Sequence, residues 1–328
     1  VAGGHIGRSW RVYLMTAVAE AAVTEGGLGP VTEQEQDWLA RRFEDDRRRL
    51  RAVAYRMLGS VSEAEDAVQE AWLRLSTSNP DEIENLSGWL TTVVARVSLN
   101  LLRSRAVRRE EPLPPRLPDP IIDRMDSVDP EHEALIADSV GLALLVVLET
   151  LTPAERLAFV LHDMFGVPFE QIAGLIDRSP QAARQLASRA RRRVRAQPTT
   201  PDASVSAQQE VVNAFLAAAH EGDFDALVAL LDPDVVLRAD GGSALAAASA
   251  EVHGALAVAR QASMWSRVDL TMHPALVNGA FGMVTTRNGA VFSIASIIVR
   301  NGKIAEMDFL ADPDRLAHLD LTILDTPS

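Results

Sequence analysis

Seven arginines and no acid lie between Arg178 and Arg195, and five arginines and no acid lie between Arg96 and Arg109. A guanidinium donates in a planar fork that fits phosphate or the major-groove edge of guanine, and glutamine suits adenine. Gln181, Arg184, Gln185, Ser188, Arg189, Arg192 and Arg195 are therefore candidate DNA contacts, with the later arginines placed for phosphates. A second candidate set is Arg96, Asn100 and Arg103 along one helix face, followed by Arg105, Arg108 and Arg109. A third pattern has the opposite sign. Asp66, Gln69, Glu70 and Leu73 recur at helical spacing, an acidic stripe with an outward leucine that suits docking onto a basic partner helix. Alone, such a stripe reads more simply as a solvated face.

The elements that must position these residues are legible in the pattern. Ser62 with Glu65 has the form of a capping box, and Ala64, Val68, Ala71, Trp72 and Leu75 behind it make one apolar helix face. A further helix is expected over about Ser87 to Arg105, buried through Leu90, Val93, Val94, Val97 and Leu101. Trp89 at its start is a candidate for stacking on unpaired bases as well as for the core. Six prolines between Glu111 and Pro130 make an extended linker. Helix resumes from Glu131 to Leu151, and Thr152, Pro153 and Glu155 supply the cap of the next. Phe169, Ile172, Ala173 and Ile176 define a short helix that Asp177-Arg178-Ser179 breaks. Ser179 and Pro180 then start a second helix, expected to face inward through Ala182, Leu186, Ala190 and Val194. The pair reads as a helix-turn-helix whose second helix presents arginine and glutamine to DNA.

Beyond Pro198 to Pro201 the texture changes. Val205 to His220, Asp223 to Leu231 and Ala255 to Ser263 have helical patterns, followed by β-rich stretches turned by Asn288-Gly289 and Asn301-Gly302. Helices followed by hairpins indicate an α+β domain. The 328 residues accordingly divide into a loose tail over 1–35, an all-α domain over 36–110, the linker over 111–130, the helix-turn-helix domain over 131–197 and the α+β domain over 204–328.

Composition sets the outer bounds. With no cysteine the chain has no disulfide, thiolate zinc site or thiol redox centre of its own. No apolar run approaches a membrane span and no secretory signal is evident, so the expected location is the cytoplasm. The net charge of −13 is uneven: residues 205–328 hold 15 acids against 7 bases, so the two basic helices stand out locally. No phosphate loop, metal-ligand spacing or nucleophile elbow is present, and no cofactor is expected. His162 beside Asp163 has no motif around it and reads as structural.

Over roughly Trp38 to Ala196 the chain resembles the extracytoplasmic-function group of the sigma-70 family. The matched blocks are Ala64-Glu65-Asp66-Ala67-Val68-Gln69-Glu70-Ala71-Trp72-Leu73-Arg74, then Gly88-Trp89-Leu90-Thr91-Thr92-Val93-Val94-Ala95-Arg96. Next in the same order come Leu151-Thr152-Pro153-Ala154-Glu155-Arg156 and Phe169-Glu170-Gln171-Ile172-Ala173. The resemblance implies that 36–110 is sigma region 2, its acidic stripe binding the β′ clamp helices of RNA polymerase core and its basic helix engaging the −10 element. It implies that 131–197 is region 4, reading the −35 element and lying against the β flap.

The remainder is similar to the SnoaL-like domains of the nuclear transport factor 2-like superfamily, in which helices and sheet form a cone. One subgroup of these sigma factors carries such a domain as a built-in regulator. Its motifs resemble Leu117-Pro118-Asp119-Pro120 in the linker, Asp240-Gly241-Gly242, and Asp312-Pro313-Asp314-Arg315-Leu316 near the C-terminus. The Asp-Gly-Gly motif departs from that subgroup's, continuing as Ser243-Ala244. Regulation from within the chain is the expectation, and a small-molecule ligand of the tail is left open. Enzymatic relatives of this fold use a pocket Asp or His, and Asp240, His253, His273 and Asp308 are the corresponding candidates, each reading more simply as a surface or hydrogen-bonded residue. Two rivals stand beside the sigma-factor reading, which expects no enzyme. One is a ligand-sensing helix-turn-helix regulator acting without core polymerase. The other is a cyclase-type enzyme with a DNA-binding appendage.

Overall fold

The structure, a computed structural model, describes residues 33–78, 83–108, 116–125, 141–196, 204–242, 249–265 and 268–321. Residues 1–32 of the expected loose tail, Arg109, the first half of the Glu131–Leu151 helix and the Pro198 to Pro201 boundary lie outside these residues, whereas 33–35 are already helical.

Three helices make the first unit: α1 (Glu33–Leu58), α2 (Val61–Thr77) and α3 (Leu86–Arg108). The cap of α2 is Ser60, not Ser62, and its hydroxyl accepts from Glu63 N–H. The same Ser-x-x-Glu spacing occurs at both serines, and the left-handed Gly59 that ends α1 decides between them. The apolar face of α2 is buried as its spacing predicts, through Ala64, Val68, Ala71, Trp72 and Leu75 together with Ala67. Leu90, Val93 and Val94 of α3 are buried too, while Val97 and Leu101 are only half-buried and Leu99 and Leu102 carry the far end. Trp89 is half-buried against this core.

The second unit comprises α4 (Gly141–Glu149), α5 (Pro153–Phe159) running into a π-helical turn at Val160–Met164, α6 (Phe169–Ile176) and α7 (Pro180–Ala196). The Thr152–Glu155 capping box starts α5 as expected. Asp177 ends α6 in the left-handed conformation (φ 54°), a reversal an aspartate tolerates better than a branched residue. The inward face of α7 is rotated by one residue from the expected stripe. Ala183, Ala187 and Ala190 are buried, with Leu186 and Val194 half-buried, so Ala182 sits at the margin. Stepping strictly by four drifts around a 3.6-residue helix, whereas 183, 186–187, 190 and 194 follow its true pitch. Alanines let α6 and α7 approach closely. The two units do not stand apart: Leu39 to Leu102 and Leu142 to Ala190 contribute to one continuous apolar cluster.

The C-terminal unit is a helix-on-sheet domain built from α8 (Val205–Glu221), α9 (Phe224–Leu230), β2 (Leu231–Asp240), β3 (Ala250–His253), α10 (Ala255–Trp265), β4 (Thr271–Val277), β5 (Ala280–Arg287), β6 (Ala290–Arg300), β7 (Lys303–Leu310) and α11 (Pro313–Leu316). With β1 (Ile122–Asp123) at one edge, its mixed sheet has seven strands among the described residues, in the order β1-β4-β5-β6-β7-β2-β3, with β2 parallel to β7 and the other pairs antiparallel. The two expected Asn-Gly hairpins join β5 to β6 and β6 to β7, and a third at Asn278-Gly279 joins β4 to β5. One sheet face packs on the helices through Phe281, Met283, Ile297 and Met307 against Val212 and Phe215. The opposite face is covered by Ile122 and Leu316. Ile122 belongs to β1 (Ile122–Asp123), so the proline-rich linker supplies the edge strand of the tail's sheet.

Candidate nucleic-acid interface and the linker lock

The α7 residues singled out by type divide by what holds them. Gln181, Gln185, Ser188, Arg192 and Arg195 are exposed, and among the described residues Arg192 and Arg195 have no ion pair. Arg184 bonds Glu170 at 3.2 Å and lies over the Phe169 ring at 5.5 Å. Arg189 and Arg193 both reach Glu155, at 3.5 and 2.9 Å, and Arg191 reaches Asp163 at 2.7 Å. Burial works against ionising Glu155, but the Thr152 hydroxyl and amide and the two arginines outweigh it and hold its carboxyl below the usual range. Glu155 thus caps α5 and anchors α7. His162 stacks on Phe169 with centroids 3.8 Å apart, consistent with a packing role.

On α3, Arg96, Asn100 and Arg103 are exposed along one face. Arg105 is held differently: it donates to the carbonyl of Leu58 at 3.0 Å and pairs with Glu63, so it ties α3 to the end of α1. The α3 backbone extends to Arg108. Around on α2, Asp66 and Leu73 are exposed, Leu73 by 37%, and Gln69 and Glu70 are half-buried, with Glu70 paired to Arg74 at 2.9 Å.

The three short motifs spread across the sequence converge in space. Arg315 donates through Nε to Asp119 at 2.7 Å, through Nη1 to Asp240 at 2.7 Å, and through Nη2 to the Leu117 carbonyl at 2.6 Å. Asp240 also accepts from Leu117 N–H at 2.8 Å. One guanidinium thus closes the linker onto the tail with its fork fully used. Asp312 caps α11 and sets the Arg315 backbone. Gly242 has φ +64°, and a Cβ there would fall 2.1 Å from the Asp312 carboxylate, so only glycine fits. Leu316 packs with Ile122, and Pro118, Asp119 and Pro120 are buried. Asp314 is exposed and takes no part through its side chain, while the Pro313 ring opens α11.

The four acid–base candidates of the tail do not share a site. Asp240 is occupied by the lock, and His253 is exposed beside Glu251. His273 bonds Thr286 three strands away from Asp308, which is buried and held by Arg238 at 3.0 Å. Tyr55 and Asn278, outside every motif, and Arg156, in a matched block but with no role assigned by its spacing, are each buried and each bond across units. The third Asn-Gly dipeptide was the available signal for Asn278.

Residues 42–108 match Sigma-70 region 2 and residues 141–194 match Sigma-70 region 4. The ECF RNA polymerase sigma factor SigJ of Mycobacterium tuberculosis is 41% identical over 290 residues, covering 83% of this chain and 91% of SigJ. The chain is an extracytoplasmic-function sigma factor of the sigma-70 family. The crystal structure of SigJ superposes with a TM-score of 0.67 at 37% identity, covering 86% of this chain and 99% of that one. ECF sigma factor SigE of Mycolicibacterium smegmatis is 31% identical over 161 residues, 48% of this chain and 60% of its own. The region 2 match thus spans most of α1 with α2 and α3, the region 4 match spans α4–α7, and the similarity to SigJ extends well beyond both into the tail.

Proposed function

We propose that this sigma factor directs RNA polymerase core to specific promoters and starts transcription there, with the C-terminal domain as a regulator fused to it. The observation that carries the reading is the exposure of two cationic helix faces, on α3 of the first unit and α7 of the second, together with Asp66 and Leu73 of the acidic α2 stripe. Asp66, Gln69, Glu70 and Leu73 take the β′ clamp helices. Arg96, Asn100 and Arg103 face the −10 element, and Arg108 and Arg109 add their charge to its binding. Gln181, Gln185, Ser188, Arg192 and Arg195 face the −35 element, with Arg184 and Arg189 at its edge. Arg105 serves the domain itself rather than DNA, because its guanidinium is taken by Leu58 and Glu63. A regulator acting without polymerase would leave the acidic stripe unused. An enzymatic tail would need its acids and histidines in one pocket, and they are dispersed. Cytoplasmic location follows from the same function; among the described residues no helix is long and apolar enough to cross a membrane.

The packed arrangement is a resting form. Sites about 25 base pairs apart are about 85 Å apart along B-DNA. A compact body of about 160 residues is only about 40 Å across. Regions 2 and 4 must therefore separate to read both elements, and the linker whose ends they are is the piece the tail holds. Charge reversal by Asp66→Arg with Glu70→Arg should abolish core binding and core-dependent transcripts in the full chain while leaving its melting temperature unchanged. Retained transcription by that variant would refute the assignment.

A further inference from the structure

A helix ends with carbonyls that no later turn satisfies, and α1 ends at a point where other parts of the chain must supply the donors. The chain reverses at Gly59 (φ +66°), whose N–H bonds the Tyr55 carbonyl at 2.8 Å. The Arg56 carbonyl accepts from Arg156 Nε of region 4 at 3.1 Å. The Leu58 carbonyl accepts from Arg105 of the −10 helix at 3.0 Å. The Gly59 carbonyl accepts from Asp119 N–H of the linker at 2.7 Å. One helical turn is thus finished by donors from three other segments.

The tail reaches the same turn. Tyr55, fully buried, donates its hydroxyl to the Asp119 carbonyl at 2.7 Å and accepts from Asn278 Nδ2 at 3.0 Å. Asn278 also bonds Ile121 through both its amide oxygen (3.1 Å) and its backbone N–H (2.8 Å). Hairpin-tip asparagines are ordinarily solvated, yet Asn278 is 2% exposed because the β4–β5 tip is inserted between linker and α1. Region 4 closes the other side: a Cβ on Gly59 would meet Glu149 at 2.9 Å and Pro118 of the linker at 3.4 Å. Burial keeps the phenol neutral by raising its ionisation above the usual range, so it remains a donor.

We propose that the turn Tyr55–Gly59 is the joint through which the tail controls the separation of regions 2 and 4, with Tyr55 and Asn278 as positioning residues that hold the linker on region 2. This rests on the sigma-factor reading but adds an attachment independent of the Arg315 lock, which joins linker to tail and not to region 2. When the Tyr55–Asn278 bond is lost, the linker leaves the end of α1 and Pro118 is withdrawn from the Gly59 turn on which Glu149 and Arg156 of region 4 also sit, loosening the seat of region 4.

The absence of cysteine makes the test clean. Dyes are placed on Asp45→Cys of region 2 and Gln171→Cys of region 4, both exposed, in the otherwise intact chain, and energy transfer is recorded molecule by molecule. Tyr55→Phe removes the hydroxyl and keeps the ring. Asn278→Gly removes the amide and keeps the left-handed backbone (φ 50°). Should the first variant fail to fold, the second probes the same bond from the other side. Each single variant is expected to lower the packed-to-open ratio about tenfold, the scale of leaving a buried polar group unpaired, and the double variant by less than the product of the two, because the shared Tyr55–Asn278 bond can be lost only once. Unchanged energy transfer in a folded variant, or losses that add in the double, overturns the proposal. Failure of the unmutated chain to start transcripts with core would instead overturn the sigma-factor reading.

Discussion

Asp308 and Arg315 show how differently a buried ion pair behaves according to how completely its lone pairs are used. Arg315 spends its fork on three acceptors, whereas Asp308 shares Arg238 with Glu306 and leaves Oδ2 without a hydrogen bond. Burial is the largest influence on Asp308 and pushes its carboxyl up to about 6, against the pull of Arg238 and with the repulsion of Glu306 and Glu251. Between the ordinary value of 3.8 and about 6, the folded chain holds a proton that the unfolded chain releases. Stability from this group is therefore fully present below the lower value and is lost as pH rises through the upper one. Denaturant unfolding of the full chain from pH 4 to 7 should show this decline, and Asp308→Asn should flatten it. An identical slope in both proteins would show that Asp308 titrates elsewhere.

At the scale of elements, the helix-turn-helix works because small residues and charges are sorted by helix pitch. Alanines at 183, 187 and 190 bring α7 onto α5 and α6, and Glu155, Asp163 and Glu170 hold four of its arginines from the body of the domain. What remains outward is a smaller set than the arginine count suggests. Arg192 is in that set. Arg192→Ala should weaken −35 binding of the polymerase complex on every sequence by a similar factor and reduce the salt slope by about 1. A loss confined to one base position would make Arg192 a reader of bases instead.

For the molecule as a whole, the linker is the component that makes three units one. It caps α1, forms the edge strand of the tail's sheet and is clasped by Arg315. Two cores on either side of such a strap should unfold together. Arg315→Lys keeps the charge but cannot bridge Asp119, Asp240 and the Leu117 carbonyl at once, and breaking a largely buried pair costs up to about 3 kcal/mol. Calorimetry should then resolve the single transition of the full chain into two. One unsplit transition with an unchanged midpoint would mean that the clasp carries no load.

Periodicity and capping along the sequence determined the helices of regions 2 and 4, the α+β texture of the tail and the cationic and acidic faces, because those signals are local and repeat within one or two turns. The cap of α2 and the inward face of α7 were placed one or two residues off, at Ser62 and Ala182, since neighbouring serines and alanines offer nearly equal local choices. Only tertiary structure decided that Leu117, Asp119, Asp240 and Arg315 meet, that a proline-rich segment becomes a strand, and that Tyr55 and Asn278 touch across 223 residues of chain. A buried hydrogen bond between distant residues leaves no spacing to read: its partners are chosen by how whole units pack, and that choice exists only once the chain is folded.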